Sequence, residues 1–243
     1  MDCFPRPPAL GRLMFHCESH SVRTHDLLEI DANRFIAAQT AAPQWVEENL
    51  RKSPFVVVRR DRATGEQIPV GVRGAERNQR WATFCHPKFV KSMLAPPQLL
   101  RRTVAIPRSD LIPAFRALTI LKDRWMDFNR PWGPGGSVGF ELATSAHAVK
   151  LESDLDIVLY AERRITAEEA KFLCDRAMDL TAVVDIRVET PTCGFSLIEY
   201  AQTASSSILL RTPSGHLLGD DPWSDKLKLS DAAQSVGERF NAP

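Results

Sequence analysis

The stretch Ser153-Asp154-Leu155-Asp156-Ile157-Val158-Leu159-Tyr160 decides both the fold and the chemistry expected of this chain. Its apolar and charged residues alternate, and successive side chains of a β-strand point to opposite faces of a sheet. The alternation therefore predicts a strand over Glu152–Tyr160. Its buried face would carry Leu155, Ile157 and Leu159, and its other face would carry Asp154, Asp156, Val158 and Tyr160.

The residues that follow predict a helix and another strand of the same sheet. Thr166-Ala167-Glu168-Glu169 is a capping-box pattern that opens a helix. Apolar residues then recur at helical spacing, at Ala170, Leu173, Ala177 and Leu180. The alternation returns in Ala182–Val188, where Asp185 and Arg187 share one face. The opposite face would carry Val184, Ile186 and Val188.

The preceding residues complete the expected fold. Ser109 or Asp110 can cap a helix that runs to about Phe128, and a Gly- and Pro-rich turn follows over Pro131–Gly136. Val138–Ala143 alternates and predicts a strand, and Ser207–Arg211 is typical of a last strand. The element order predicts an α+β fold, in which a small sheet has helices on one face and polar groups on the other.

Proline positions and changes in composition predict four segments: a leader over 1–21, an N-terminal α+β domain over 22–104, a catalytic domain over 105–223 and a polar tail over 224–243. We interpret the tail as a frayed helix. The N-terminal domain is expected to contain two short helices and a β-hairpin. The helices are predicted at Asp26–Phe35 and Pro43–Leu50, and the hairpin pairs Phe55–Arg59 with Ile68–Val72 around Thr64-Gly65.

Asp154 and Asp156 are the expected catalytic residues. Side chains at i and i+2 of a strand emerge on one face with their bases about 7 Å apart, and two carboxylates so placed repel each other unless a cation lies between them. Mg²⁺, or Mn²⁺ in its place, accepts one or two carboxylates and leaves positions for phosphate oxygens. Asp185 would be a third ligand or the group that receives a proton from the attacking hydroxyl.

The segment Gly135-Gly136-Ser137 lies one predicted strand upstream of these carboxylates. Glycines allow backbone N–H groups to approach a phosphate closely, and the Ser137 hydroxyl adds a donor. We expect Ser137 to bind phosphate rather than act as a nucleophile, because no histidine lies near it in the sequence. The structural alternatives are a plain Gly/Pro turn at 135–137 and solvated aspartates at 154 and 156.

In the residues described above, the chain resembles the nucleotidyltransferase superfamily. In that superfamily a Gly-Ser turn precedes a strand in which two acidic residues alternate with apolar ones. The matching residues here are Gly136-Ser137 and Asp154-Leu155-Asp156-Ile157. Sixteen residues separate the two motifs, more than is usual in the superfamily.

A narrower resemblance, to the malonate decarboxylase holo-acyl-carrier-protein synthases, extends in order over residues 22–223. It is carried by Arg23–Leu28, Pro69–Gly74, Gln79–Ala82, Trp132–Thr144, Ser153–Asp156, Val184–Pro191 and Asp221–Trp223. The chain departs from many relatives at Ser145, where they have glycine. Asp154 and Asp156 match the paired aspartates of the family.

The resemblance implies a prosthetic-group transferase. Such an enzyme takes phosphoribosyl-dephospho-CoA from triphosphoribosyl-dephospho-CoA and attaches it to a serine of the acyl carrier protein subunit of malonate decarboxylase. Diphosphate is released. Two alternatives stay open: the same transfer to the citrate lyase acyl carrier subunit, and a non-catalytic nucleotide-binding module that retained the fold.

Basic residues are concentrated between Arg51 and Arg80, a segment that contains eight basic residues and three acidic ones. Guanidinium groups form bidentate hydrogen bonds with phosphate oxygens. We therefore expect arginines of this region to bind the substrate, with Arg187 of the catalytic domain. The candidates are Arg59, Arg60, Arg73, Arg77 and Arg80. The alternative is a solvated hairpin, which we prefer for Arg51, Lys52 and Arg62.

Composition excludes several classes of protein. The net charge of +1 makes no electrostatic case for binding nucleic acid, and the apolar runs fall well short of the roughly 20 residues of a membrane-spanning helix. The N-terminal residues do not have the pattern of a signal peptide. The five cysteines are scattered and contain no CxxC pair, so we expect no disulfide framework and a cytoplasmic location.

Overall fold

The computed structural model describes residues 21–63, 65–74, 76, 78–105, 107–202 and 207–224. The predicted leader and polar tail lie outside the described residues, apart from Ser21 and Ser224. Thr64 of the predicted hairpin turn and Arg77 of the predicted basic set also lie outside them. The described residues form two β-sheets with their helices, and the α+β class is confirmed.

The N-terminal sheet has five strands, all antiparallel, in the order β4-β3-β2-β1-β5. They are β1 (Leu27–Ile30), β2 (Phe55–Val58), β3 (Ile68–Arg73), β4 (Arg80–Cys85) and β5 (Val90–Leu94). The helices of this region are α1 (Ala32–Ala37) and α2 (Gln44–Lys52), with a short 3₁₀ helix at Pro87–Phe89. The predicted β2–β3 hairpin and the second predicted helix are confirmed.

The two faces of the N-terminal sheet pack against different cores. Leu28 and Ile30 are completely buried against its own helices, together with Phe35 of α1 and Leu50 of α2. Leu27 points the other way and joins the core of the second sheet. Because alternate residues of β1 enter different cores, the strand joins the two sheets through apolar contacts.

The second sheet has six strands in the order β11-β10-β9-β8-β7-β6. They are β6 (Trp132–Pro134), β7 (Leu155–Tyr160), β8 (Val184–Glu189), β9 (Gly194–Ser196), β10 (Ile208–Thr212) and β11 (Gly215–Gly219). Its helices are α3 (Pro96–Leu99), α4 (Arg108–Leu111), α5 (Pro113–Arg124), α6 (Gly136–Thr144), α7 (Ala167–Ala177) and α8 (Leu197–Gln202). β7 and β8 are parallel, and the other pairs are antiparallel.

Helices cover the apolar face of this sheet, as predicted. Leu155, Ile157 and Leu159 of β7 are completely buried among residues of α5 and α7. α7 begins where the capping pattern predicted, because the Thr166 hydroxyl accepts a hydrogen bond from the Glu169 N–H at 3.1 Å. Among the described helices, none is both long and apolar enough to cross a membrane.

Three predicted elements are wrong, and the predicted helix from Ser109 or Asp110 to about Phe128 is divided into α4 and α5, with Pro113 at the start of the second helix. Val138–Ala143 is part of helix α6 rather than a strand. Val138 and Leu142, both buried, are four residues apart, and this spacing satisfies the two-residue period of a strand as well as one turn of a helix. Within the predicted turn, residues 132–134 pair with β7 as the edge strand β6. An edge position tolerates Pro134 because one side of the strand needs no hydrogen-bond partner.

The third error lies in Asp26–Phe35, which is strand β1 followed by helix α1 rather than one helix. Asp31 separates the two elements, since its side chain accepts a hydrogen bond from the Arg34 N–H and caps α1. Strands β4, β5, β9 and β11 were not predicted. Of these, β5 pairs with a strand distant in the sequence, β1, whereas β4 and β11 form hairpins with the preceding strands β3 and β10.

A buried carboxylate fixes the long connection between α6 and β7. Glu141 is 1% exposed and accepts hydrogen bonds from the Ala148 and Val149 N–H groups, both at 2.8 Å, and from the Arg108 guanidinium. Burial pushes the pKa of Glu141 upward, but these hydrogen bonds outweigh it and hold the pKa below 4.5. The connection that leads into Asp154 is therefore anchored on α6.

We predict that Glu141→Gln lowers the free energy of unfolding by about 3 kcal/mol, because it leaves Arg108 without its buried partner. A carboxyl whose pKa is depressed stabilises the fold above its unfolded pKa. The difference between wild type and variant should therefore shrink as the pH falls below about 4.5. Urea unfolding at pH 7 and at pH 4 measures both effects. Glu152→Gln, at an exposed position, is the control, and an equal loss there would contradict the prediction.

Candidate functional site

The polar face of the second sheet carries the candidate site in three rows of paired residues. The register pairs Asp156 with Asp185, then Val158 with Arg187, then Tyr160 with Glu189. The last row continues across the sheet to Gly194 of β9 and Arg211 of β10. Because paired residues of neighbouring strands share a face, acidic and basic side chains lie side by side along β8.

Three carboxylates meet at one end of this face. Asp156 and Asp185 are register partners on strands about 4.8 Å apart, and exposed Asp154 lies two residues before Asp156. Burial raises the pKa of Asp156, and the negative charges of Asp185 and Asp154 raise it further. The structure therefore brings together the three aspartates that the sequence singled out.

The glycine turn lies directly against Asp156. The Gly135 N–H donates to the Asp156 carbonyl at 2.8 Å, and Gly136 has a positive φ of 52° at the start of α6. A Cβ atom at Gly136 would overlap Oδ2 of Asp156. This approach needs glycine for two reasons: its backbone conformation and the space beside the carboxylate. Ser137 follows in the first turn of α6, half-buried.

The N-terminal sheet supplies positive charge at both ends of the face. Arg73, at the end of β3, lowers the pKa of Asp156, as does Arg187 of β8. At the other end, Arg60 forms an ion pair with Glu189, and Nε2 of His25 is 2.9 Å from Oε1 of the same carboxylate. The β2–β3 hairpin therefore spans the polar face from Glu189 to Asp156.

Two of the predicted arginines have other surroundings. Arg59 pairs with Asp61 at 3.2 Å and lines a cleft of about 270 Å³ together with Arg60, Thr24 and Pro213. Arg80 is exposed and is the register partner of Arg73 at the end of the β3–β4 ladder. Arg187 lies in the site and pairs with Asp185 at 3.1 Å.

A divalent cation at this site would depend on carboxylate ligands. In the described part of the chain, no group of three or more His, Cys, Asp or Glu side chains is spaced to hold a metal ion. Asp185 is already engaged by Arg187. Asp154 and Asp156 have the chemistry of a magnesium site that uses two carboxylates and completes its shell with water and substrate phosphates.

Two residues of this face were not predicted as site residues. The sequence contained a pattern that could have identified Glu189, since residues 185, 187 and 189 alternate along one predicted strand and must share a face. Glu189 is 6% exposed, yet hydrogen bonds and charges from His25 and Arg60 outweigh its burial and keep its pKa low. Arg211 had no such signal, because only the pairing of β10 with β9 brings it to the site.

Comparisons with known proteins agree that the chain is a transferase. Residues 100–222 match the family model described as the C-terminal domain of phosphoribosyl-dephospho-CoA transferase MdcG, and residues 23–96 match the model of its N-terminal domain. The chain belongs to the phosphoribosyl-dephospho-CoA transferase family.

Curated relatives agree with this assignment. The chain is 34% identical to a phosphoribosyl-dephospho-CoA transferase of Pseudomonas aeruginosa, over 75% of this chain and 85% of the relative. It is 33% identical to one from Klebsiella pneumoniae, over 84% and 98% of the two chains. It is 35% identical to one from Azotobacter vinelandii, over 82% and 93%. No solved structure matches the chain.

We predict that Gly136→Ala abolishes most of the transfer activity, because its methyl group would displace the Asp156 carboxylate. Gly65→Ala is a matched control: Gly65 also has a positive φ, 61°, but an added Cβ would meet nothing within 4 Å. In thermal unfolding, Gly65→Ala should show only the backbone strain of about 1 kcal/mol, and Gly136→Ala should show that strain together with the cost of displacing the carboxylate. Equal activities of the two variants would show that the contact with Asp156 is unimportant.

Proposed function

We propose that this protein transfers phosphoribosyl-dephospho-CoA from triphosphoribosyl-dephospho-CoA to a serine of the acyl carrier protein of malonate decarboxylase, with release of diphosphate. The names of the relatives support the transferred group. The single observation that carries the proposed chemistry is the placement of Asp156, beside Asp185 and against the Gly135-Gly136 turn, with Arg73 near it.

Asp154 and Asp156 are proposed to hold Mg²⁺, for which Mn²⁺ could substitute. When bound, the metal would supply positive charge to the phosphate oxygens of the substrate and to the leaving diphosphate. The aspartates present carboxylates on one face, and Gly136 allows the start of α6 to approach Oδ2 of Asp156 closely. Two protein carboxylates combined with substrate oxygens are a common arrangement for this ion.

The proposed step is an in-line displacement at the α-phosphorus of the triphosphoribosyl group. A bond forms between the carrier serine oxygen and phosphorus, and the bond from phosphorus to the departing diphosphate breaks. The serine proton would pass to Asp185, which lies beside Asp156 and is about half exposed. Arg73 and Arg187 would stabilise negative charge on the phosphates, and backbone N–H groups at Gly136 and Ser137 would position them.

The nucleophile is proposed to come from a partner protein. Ser137 is placed in the first turn of a helix, where a hydroxyl and free N–H groups favour phosphate oxygens. An acidic carrier protein would be attracted by the arginines near the hairpin, and its association would slow as salt increases. The described cysteines, Cys85, Cys174 and Cys193, are free thiols, which supports a proposed cytoplasmic setting.

We predict that Asp154→Ala and Asp156→Ala each reduce transfer by about a thousandfold or more, while the protein remains folded. Loss of a metal ligand removes several kcal/mol of stabilisation from the transition state. Diphosphate release, measured against Mg²⁺ concentration with precursor and apo-carrier present, tests activity and metal dependence together. Asp123→Ala, at an exposed position of α5, is the control. Near-normal turnover in either site variant, or full activity in excess chelator, would overturn the metal site.

The partner is tested by incubating the protein with precursor and either of two apo-carriers, from malonate decarboxylase and from citrate lyase. We expect mass spectrometry to find phosphoribosyl-dephospho-CoA on the malonate decarboxylase carrier and this chain unmodified. Preferential labelling of the citrate lyase carrier would favour the alternative substrate. Stoichiometric label on this chain, with none on either carrier, would overturn the proposal. A non-catalytic module would release no diphosphate in any mixture.

A further inference from the structure

Arg211 occupies an unusual position on the polar face. It pairs with Gly194 of β9, and Gly194 pairs in turn with Glu189 of β8. Gly194 has no side chain, and a Cβ there would be 2.7 Å from Oε1 of Glu189. The Glu189 carboxylate therefore occupies the space beside Gly194, and Arg211 is the next side chain along this row.

The guanidinium of Arg211 is incompletely satisfied. Its Nη1 atom is buried and has no hydrogen-bond partner among the residues that the structure describes. Burial lowers the pKa of Arg211, and the positive charge of Arg187 lowers it further. A buried donor without an acceptor costs free energy, and unsatisfied donors of this kind in folded proteins call for an explanation such as a missing ligand.

The carboxylates near Arg211 already have other partners. Asp185 and Glu189 both interact electrostatically with Arg211. Asp185, however, accepts a hydrogen bond from Arg187, and Glu189 binds His25 and Arg60. Glu199 accepts from the Leu209 N–H at 3.0 Å. None of these carboxylates is hydrogen-bonded to Nη1 of Arg211 in the part of the chain that the structure describes.

We propose that Arg211, together with Arg187, forms a subsite that binds a phosphate group of the substrate. The inference rests on the proposed function and names a residue that would recognise its substrate. Guanidinium forks match phosphate oxygens, and a phosphate would supply the acceptor that Nη1 lacks. Arg187 is two residues from Asp185, so the subsite begins about 7 Å along the strand from the carboxylates.

The substrate carries phosphates in two places, the triphosphate and the diphosphate bridge of its dephospho-CoA part. Calorimetric titration of the full chain with inorganic triphosphate and, separately, with dephospho-CoA distinguishes them. We expect Arg211→Gln to weaken one of these probes by about tenfold to a hundredfold, the range for a lost charged hydrogen bond. Arg116→Gln, at an exposed position of α5, should leave both affinities unchanged.

Arg211→Lys keeps the charge and removes the fork, and thermal unfolding of each variant reports its folding. A folded Arg211→Lys protein with weakened probe binding supports the subsite. Wild-type affinity for both probes in the Lys and Gln variants would assign Arg211 a structural role and overturn the inference. Binding is measured without a carrier. A wild type that binds triphosphate through Arg211 but transfers nothing would therefore refute the proposed function while supporting the subsite.

Discussion

The parallel ladder between β7 and β8 aligns Asp156 with Asp185 and, four residues further along each strand, Tyr160 with Glu189. Parallel strands cannot be joined by a tight turn, and α7 makes the connection. Leu155, completely buried, holds β7 in register, because a shift by one residue would turn every polar side chain into the core. Packing on the apolar face thus determines which charges meet on the polar face.

Burial of Glu189 connects this ladder to the N-terminal sheet. An isolated buried carboxylate would be costly, and both side-chain partners of Glu189, His25 and Arg60, come from segments that flank strands of the N-terminal sheet. His25 adopts a positive φ of 75°, an uncommon conformation for a residue with a side chain. The Tyr160 hydroxyl adds a third link by donating to the Thr24 carbonyl at 3.0 Å. The same contacts that join the sheets therefore place the hairpin arginines over the site.

The sequence predicted those elements whose pattern lies within a few consecutive residues. Alternation over residues 155–159 and the cap at Thr166 predicted β7 and α7, and alternation at 184–188 placed Asp185 beside Asp156. The prediction failed for α6, where a spacing of four residues fits two periods. It also failed for β6, because the partner of Trp132, Leu159, is 27 residues away in the sequence. Arg211 was missed for the same reason, since its neighbours on the face come from other strands.

Along β8, Asp185 has a neighbour of like charge, whereas Arg187 and Glu189 have neighbours of opposite charge. Asp185 stands beside a second carboxylate, Arg187 follows it, and Glu189 is neutralised from the N-terminal sheet. Like charges held together are unfavourable unless a ligand of opposite sign relieves them. The carboxylate row favours a cation and the arginine row favours an anion. Under the proposed function, the substrate is a polyphosphate with a bound magnesium ion. The ion would lie at the carboxylates and the phosphates at the arginines, so the direction of β8 sets the direction in which the substrate lies.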